Sequence, residues 1–357
     1  MPTSNVEEKS MKPTRRFHWL LGCSLVLGCS SGAAVVGSDL VDGGRADGQG
    51  SCGARLIVVG TDPINAVVAD DTHAYVAVFS PTVPQGGQPA QGTAHVLRVA
   101  LDGSGAPSQL WTEARVSGLA IDEANVYVAR ADDTHGAIVK LSKDGTASPV
   151  VLAAEQLYPT SVRVDATHVY WTNRGTLSTS GTEMPGGGVS RVAKSGGAVE
   201  QLAVESLEPM TLVVDDTSVY WTDGFYAQAG IVMAAPKDGS SAPRQLARGQ
   251  FNLTGLAADA ERIYWATGGG GQIVALPKTG GAPSSIVQAS TTVSVVADGA
   301  SIYFVSNGLL QRVASTGGRP ESIGCRANID PQSFAVTPTA VVVANGSNLN
   351  IVAKSDH

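Results

Sequence analysis

Charge is scarce in this 357-residue chain. Asp, Glu, Lys and Arg make up 15% of it, against roughly 25% in an average soluble protein. The balance is acidic, formally −7, and no basic patch stands out. That argues against a nucleic-acid binder, which must displace counterions from phosphates. Aromatic residues are also few, at 5%. Nowhere is there metal-ligand spacing or a local Ser-His-Asp signature. The glycine clusters Gly186–Gly188 and Gly268–Gly271 fall in links between strands rather than between a strand and a helix, so they do not cradle phosphate. No metal and no cofactor is therefore expected. What is abundant is turn-forming material, 42 Gly and 18 Pro, beside a hydrophobic fraction of 43%.

Long apolar runs are missing too, except near the start. Arg15-Arg16 precede a run from Phe17 to Gly28, the length of a signal peptide and too short to span a bilayer. Val26-Leu27-Gly28-Cys29 resembles the lipobox of bacterial lipoproteins, which implies that Cys29 is acylated and becomes the mature N-terminus. Leu20-Leu21-Gly22-Cys23 is a competing match that would leave a shorter apolar core. An ordinary secretory signal is the alternative to both. Residues 30–51 are Ser, Gly, Ala and Asp with scattered Val, the composition of a flexible tether. The expected organisation is a signal peptide over 1–28, a lipidated tether over 29–51 and one folded domain over 52–357.

That domain is repetitive. Val162-Arg-Val-Asp-Ala-Thr-His-Val-Tyr-Trp-Thr172 returns in copies aligned on Asp70, Asp122, Asp165, Asp215, Asp259 and Asp298. A seventh copy has Thr337 at the aligned position. The spacings are 52, 43, 50, 44, 39 and 39 residues, in the range of propeller blades. Each copy holds an apolar run ending in Asp, a polar turn and a β-branched, aromatic run, which together read as a hairpin. A second pair of runs follows, as in Gly188–Gly197 and Val199–Leu202. The unit is a four-stranded antiparallel meander, which buries its two apolar faces only by stacking on neighbours.

An apolar fourth-strand residue precedes the next Asp by 13 at Leu152, Leu202 and Leu246. The same count back from Asp70 reaches Ile57. The expectation is an all-β, seven-bladed β-propeller of four-stranded antiparallel blades, closed by pairing of the N-terminal strand into the C-terminal blade.

Tyr220-Trp221-Thr222-Asp223, with Tyr170-Trp171-Thr172 and Tyr264-Trp265, resembles the repeat of YWTD propellers over residues 55–353. It is also similar to the YWTN-type repeat lipoproteins of myxobacteria. The resemblance implies strand placement and an envelope location. The blade count is not carried over, because YWTD receptor propellers have six.

The repeated Asp residues are read as turn makers, the repeated Tyr and Trp as packing, and His73 and His168 as polar turn residues. Cys52 and Cys325 remain after the leader cysteines Cys23 and Cys29 are set aside. A disulfide between them would brace the closure seam, and two free thiols are the alternative. Function is expected in what the repeat does not dictate, the long links between second and third strands at 79–94, 130–136, 173–188 and 223–230. They emerge at the mouth of the central channel, and the ligand-binding candidates there are Arg130, Asp132, Asp133, His135, Asn173, Arg174, Glu183, Asp223, Phe225 and Tyr226.

The expected role is a monomeric binding or scaffold module for an envelope protein, peptide or glycan, held to the membrane by its lipid in a bacterial envelope. The alternative is a propeller enzyme, lyase-like or lactonase-like, at the same mouth. First strands that open on Pro159-Thr-Ser161, Pro209-Met-Thr211, Asn252-Leu-Thr254 and Thr292-Val-Ser294 offer hydroxyl and apolar groups rather than clustered acids or histidines, which favours the binding module.

Overall fold

The computed structural model describes residues 54–81, 92–132, 135–176, 186–224, 230–250, 252–268, 271–289, 292–323 and 333–354. Among them, twenty-eight strands, β1 to β28, form seven four-stranded antiparallel sheets. The first strands of successive blades are β2 (Ile64–Ala69), β6 (Val116–Ile121), β10 (Pro159–Val164), β14 (Leu212–Val214), β18 (Leu253–Ala258), β22 (Thr292–Asp298) and β26 (Phe334–Val336). Each touches the first strand of the blade before and after it, and β26 touches β2. They are the inner wall of a closed ring.

The seam is as the 13-residue count requires. β1 (Ala54–Val58) pairs with β28 (Asn348–Ala353), which pairs in turn with β27 (Ala340–Asn345) and β26. Ile57 faces Leu349 across this junction. One end of the ring carries the turns between first and second strands, and the opposite end is the mouth. β1 enters at the turn-bearing end.

In the first five copies the Asp makes its turn through one oxygen. Oδ1 of Asp165 accepts the N–H groups of Thr167 and His168, both at 2.8 Å. Asp70, Asp122, Asp215 and Asp259 do the same. In the seventh copy Oγ1 of Thr337 takes over, accepting from Thr339 at 3.3 Å and Ala340 at 3.0 Å. The other oxygen reaches out of the turn. Oδ2 of Asp165 accepts from the Tyr170 hydroxyl at 2.9 Å and from Lys237 of the following blade at 2.7 Å. Equivalent cross-blade pairs are Lys143 with Asp70, Lys194 with Asp122, Lys278 with Asp215 and Lys354 with Asp298.

Seven apolar clusters fill the gaps between blades. The Tyr-Trp pair serves two neighbouring clusters at once, because adjacent residues on a strand point to opposite faces. Tyr127 of the second blade packs in one cluster with Trp171 of the third, and Tyr170 with Trp221 of the fourth. Tyr220 packs in the next with Trp265, and Tyr264 with Phe304. Trp171, Trp265 and Phe304 have no accessible surface, and each large side chain so buried stabilises the ring by roughly 1.5–3 kcal/mol. Gly118 and Gly255 sit at one repeat position where blades come closest. A Cβ on Gly118 would lie 3.0 Å from the Thr160 carbonyl, and one on Gly255 would lie 3.0 Å from the Val295 nitrogen.

Candidate functional site

The links at the mouth are shorter than the sequence suggested, because the strands run on into them. β3 (His73–Pro81) and β4 (Gly92–Ala100) are nine residues each, so the first blade's link is 82–91 rather than 79–94. Asn173 ends β11 (His168–Asn173) and Asp223 ends β15 (Ser218–Asp223). Both are buried, at 9% and 7% exposure, at strand ends rather than within the links. The cause is the hairpin ladder, which pairs Asn173 with Gly188 and Asp223 with Ile231.

Five of the candidates join a continuous polar network over the second to fourth blades. Arg130, the last residue of β7 (Asn125–Arg130), forms an ion pair with Glu113 at 3.3 Å and donates to the His135 carbonyl at 2.5 Å. His135 N–H donates to Asp132 Oδ1 at 2.8 Å, and the Asp132 carbonyl accepts from Tyr158 N–H at 2.9 Å. The Tyr158 carbonyl accepts from Arg174 N–H at 3.0 Å. Arg174 Nε meets Glu208 at 2.9 Å, and Glu208 N–H donates to Asp223 Oδ1 at 2.7 Å. Burial pushes the Asp223 carboxyl above its usual range, against the N–H groups of Glu208, Leu207 and Gly224.

Asn173 lies beneath, donating to Gln156 at 2.9 Å while its own buried oxygen has no partner among the described residues. Gln156 also accepts from Trp171 at 2.9 Å, and Gln250 serves Trp265 in the same way at 3.0 Å. The fourth blade breaks the pattern. Ser206 stands where Gln156 and Gln250 do, and the buried Trp221 Nε1 has no acceptor among the described residues.

Tyr158 is the centre of the network, and the sequence did not single it out. Arg174 and Arg115 bring their guanidinium carbons to 5.4 and 5.9 Å from its ring, and Arg115 donates to its hydroxyl at 3.1 Å. Its φ is +53°, and Asn252, seven residues before Asp259 as Tyr158 is before Asp165, has +50°, so the left-handed backbone belongs to the repeat and the tyrosine side chain is what is particular to this blade. Tyr158, Arg115 and Glu208 all lie in links from a fourth strand to the next first strand. A signal was present: Glu155-Gln-Leu-Tyr-Pro159 and Glu205-Ser-Leu-Glu-Pro209 are copies of one another that differ at the residue now seen to matter.

The hydroxyls opening the first strands serve the scaffold. Ser117 donates to the Pro159 carbonyl of the next blade at 2.5 Å, and Thr160 pairs with Thr172 at 2.8 Å while reaching the carbonyls of Pro209 and Met210. Among the described residues no group of three or more His, Cys, Asp or Glu could hold a metal ion, and no helix is long and apolar enough to cross a membrane. Asp133, Glu183, Phe225 and Tyr226 lie outside the described residues, as do residues 1–53 with Cys23, Cys29 and Cys52, and also Cys325. The described residues nearest to Cys52 and Cys325 are Ala54, at the turn-bearing end of β1, and Ile323, whose N–H bonds to Leu310 near the mouth.

With this geometry in hand, solved structures give close matches in shape. A virginiamycin B lyase from Staphylococcus aureus aligns with 85% of this chain and 99% of its own at 11% identity, with a TM-score of 0.62. The WD40 β-propeller domain of Doa1 aligns over 85% and 98% at 12% identity, with a TM-score of 0.60. A chain of the nidogen–laminin complex aligns over 71% and 94% at 16% identity, with a TM-score of 0.50. The shared property is the propeller fold. No family model matches the chain, and no curated protein matches it.

Proposed function

We propose that the chain is a lipid-anchored extracytoplasmic binding module of the bacterial envelope, and that the mouth over its second to fourth blades takes a protein or peptide. The carrying observation is Tyr158, whose ring lies between the guanidinium groups of two arginines. Tyr and Arg dominate the residues on which protein interfaces depend. Leu207 beside them is 61% exposed, and Arg115 has no carboxylate partner among the described residues. The nidogen and WD40 structures of similar fold are consistent with a propeller that binds protein.

The test is retention of envelope components by the purified chain carrying Tyr158→Ala or Arg115→Ala, beside the wild type. A specific partner should lose about 2 kcal/mol or more of binding on either change. Retention unaltered by both would sink the site. For the anchor, Cys29→Ser should move the protein from the detergent phase to the aqueous phase, and unaltered partition would count against lipidation there.

The alternative enzyme reading draws on Asp223 and Glu208, buried carboxyl groups at the mouth of a fold shared with a lyase. A stoichiometric divalent-metal site at the mouth, seen by calorimetry and lost on Asp223→Asn, would favour it.

A further inference from the structure

The seven first strands provide an internal comparison, because they occupy equivalent places around one channel. Two residues before the turn position they carry Val68, Ala120, Arg163, Val213, Ala257, Val296 and Ala335. Six are small and apolar. Arg163 is the one charged side chain among the described first-strand residues that precede the turn aspartate. It keeps part of its surface accessible, and its Nη1 sits at the Val162 carbonyl, which alternates with the groups that Arg163 and Asp165 turn to β11 and so opens on the channel side of the strand. Two residues of strand, roughly 7 Å, separate it from the turn-bearing end.

Nothing described around it carries the opposite charge. Its one hydrogen bond, from Nη1 to the Val162 carbonyl at 2.8 Å, uses one of five guanidinium donors. It belongs to none of the ion pairs among the described residues, and burial alone pushes its pKa down, with no acid opposing. The repeat itself offers valine for this place, so the scaffold does not require the arginine. A guanidinium taken from water without a counter-charge is unfavourable, and its planar fork matches the two oxygens of an oxyanion.

We infer that the central channel is an anion site in which Arg163 receives a carboxylate or phosphate group of a small ligand. The site lies on the inner wall near the turn-bearing end. It does not depend on the mouth, so either reading can fail while the other stands.

The probes are sodium acetate and sodium phosphate, with sodium chloride at matched ionic strength, added to the purified chain during thermal melting and titration calorimetry. Saturable stabilisation by acetate, by phosphate or by both, absent with chloride, supports the site, and the responding arm identifies the group. Arg163→Val should melt at or above the wild type in anion-free buffer and lose the stabilisation. Arg163→Lys, which keeps the charge and loses the fork, should need about tenfold more anion. No saturable shift in the wild type overturns the inference, as does an equal shift in Arg163→Val. Should Arg163→Val fail to fold, an Arg163→Lys saturation curve identical to the wild type overturns it, and a weakened one supports it.

Discussion

The turn aspartates do two jobs with two oxygens, and the second job makes them sensitive to acid. Burial pushes the Asp215 carboxyl up, but Lys278, the N–H groups of Thr217 and Ser218 and the Tyr220 hydroxyl together bring it down to about 2. The carboxyls of Asp70, Asp122 and Asp165 are likewise held below their usual range, burial being outweighed in each by a lysine of the next blade and by the N–H groups of the turn. A carboxylate whose folded pKa is depressed contributes stability above its unfolded value of about 3.9, and that contribution fades as pH falls. The melting temperature should therefore drop as pH goes from 4 towards 2. Asp215→Asn should cost about 1–3 kcal/mol near neutrality and much less at pH 2, so that the two melting curves converge in acid. Parallel curves across the range would count against the pairing. The aspartates were readable in the sequence as turn makers. Their lysines were visible only as Lys-x-Gly turns, since each meets an aspartate some 70 residues earlier and no local pattern records that.

At the scale of elements, the strands were legible because each repeats a period-2 apolar pattern between an Asp and a Gly-rich turn. Ile57 could be placed by counting, and β1 is where the count put it. Removing this one strand tests how much the ring depends on it. A chain lacking residues 54–58 should leave β28 as an open edge, a ready template for pairing with another copy. We expect a lower urea midpoint and concentration-dependent oligomers in gel filtration, whereas an unchanged midpoint and a monomeric peak would show that the seam contributes little. Link conformation was far less legible. The bond from Arg174 N–H to the Tyr158 carbonyl recurs from Phe79 to Pro63, Ala131 to Arg115 and Gly268 to Asn252, so that part of the link follows the repeat, whereas the arginines around the Tyr158 ring follow no sequence period.

At the scale of the whole molecule, the copies act as one another's reference. Agreement among them marks the scaffold, as with the Tyr-Trp packing. Departure marks what the scaffold does not need, as with Arg163 among six small apolar residues or Ser206 where two other blades keep Gln. The mouth was found through loop length, yet its centre lies in a short link whose neighbours happen to be arginines. Tyr158 and Arg174 flank one hairpin, in which Pro159 faces Asn173, but only the stacking of successive blades brings Arg115 to them.

The sewn seam also sets an order of events. β1 is among the first strands to be made, and its partner β28 is the last, roughly 300 residues later. At typical synthesis rates of about 5–20 residues per second, β1 waits on the order of 15–60 s for its partner. Through that interval Leu56 and Val58, still 46% and 60% exposed in the finished ring, have no neighbouring strand. The circle can close only once β28 has been made, so a nascent chain that stops short of it is an open arc.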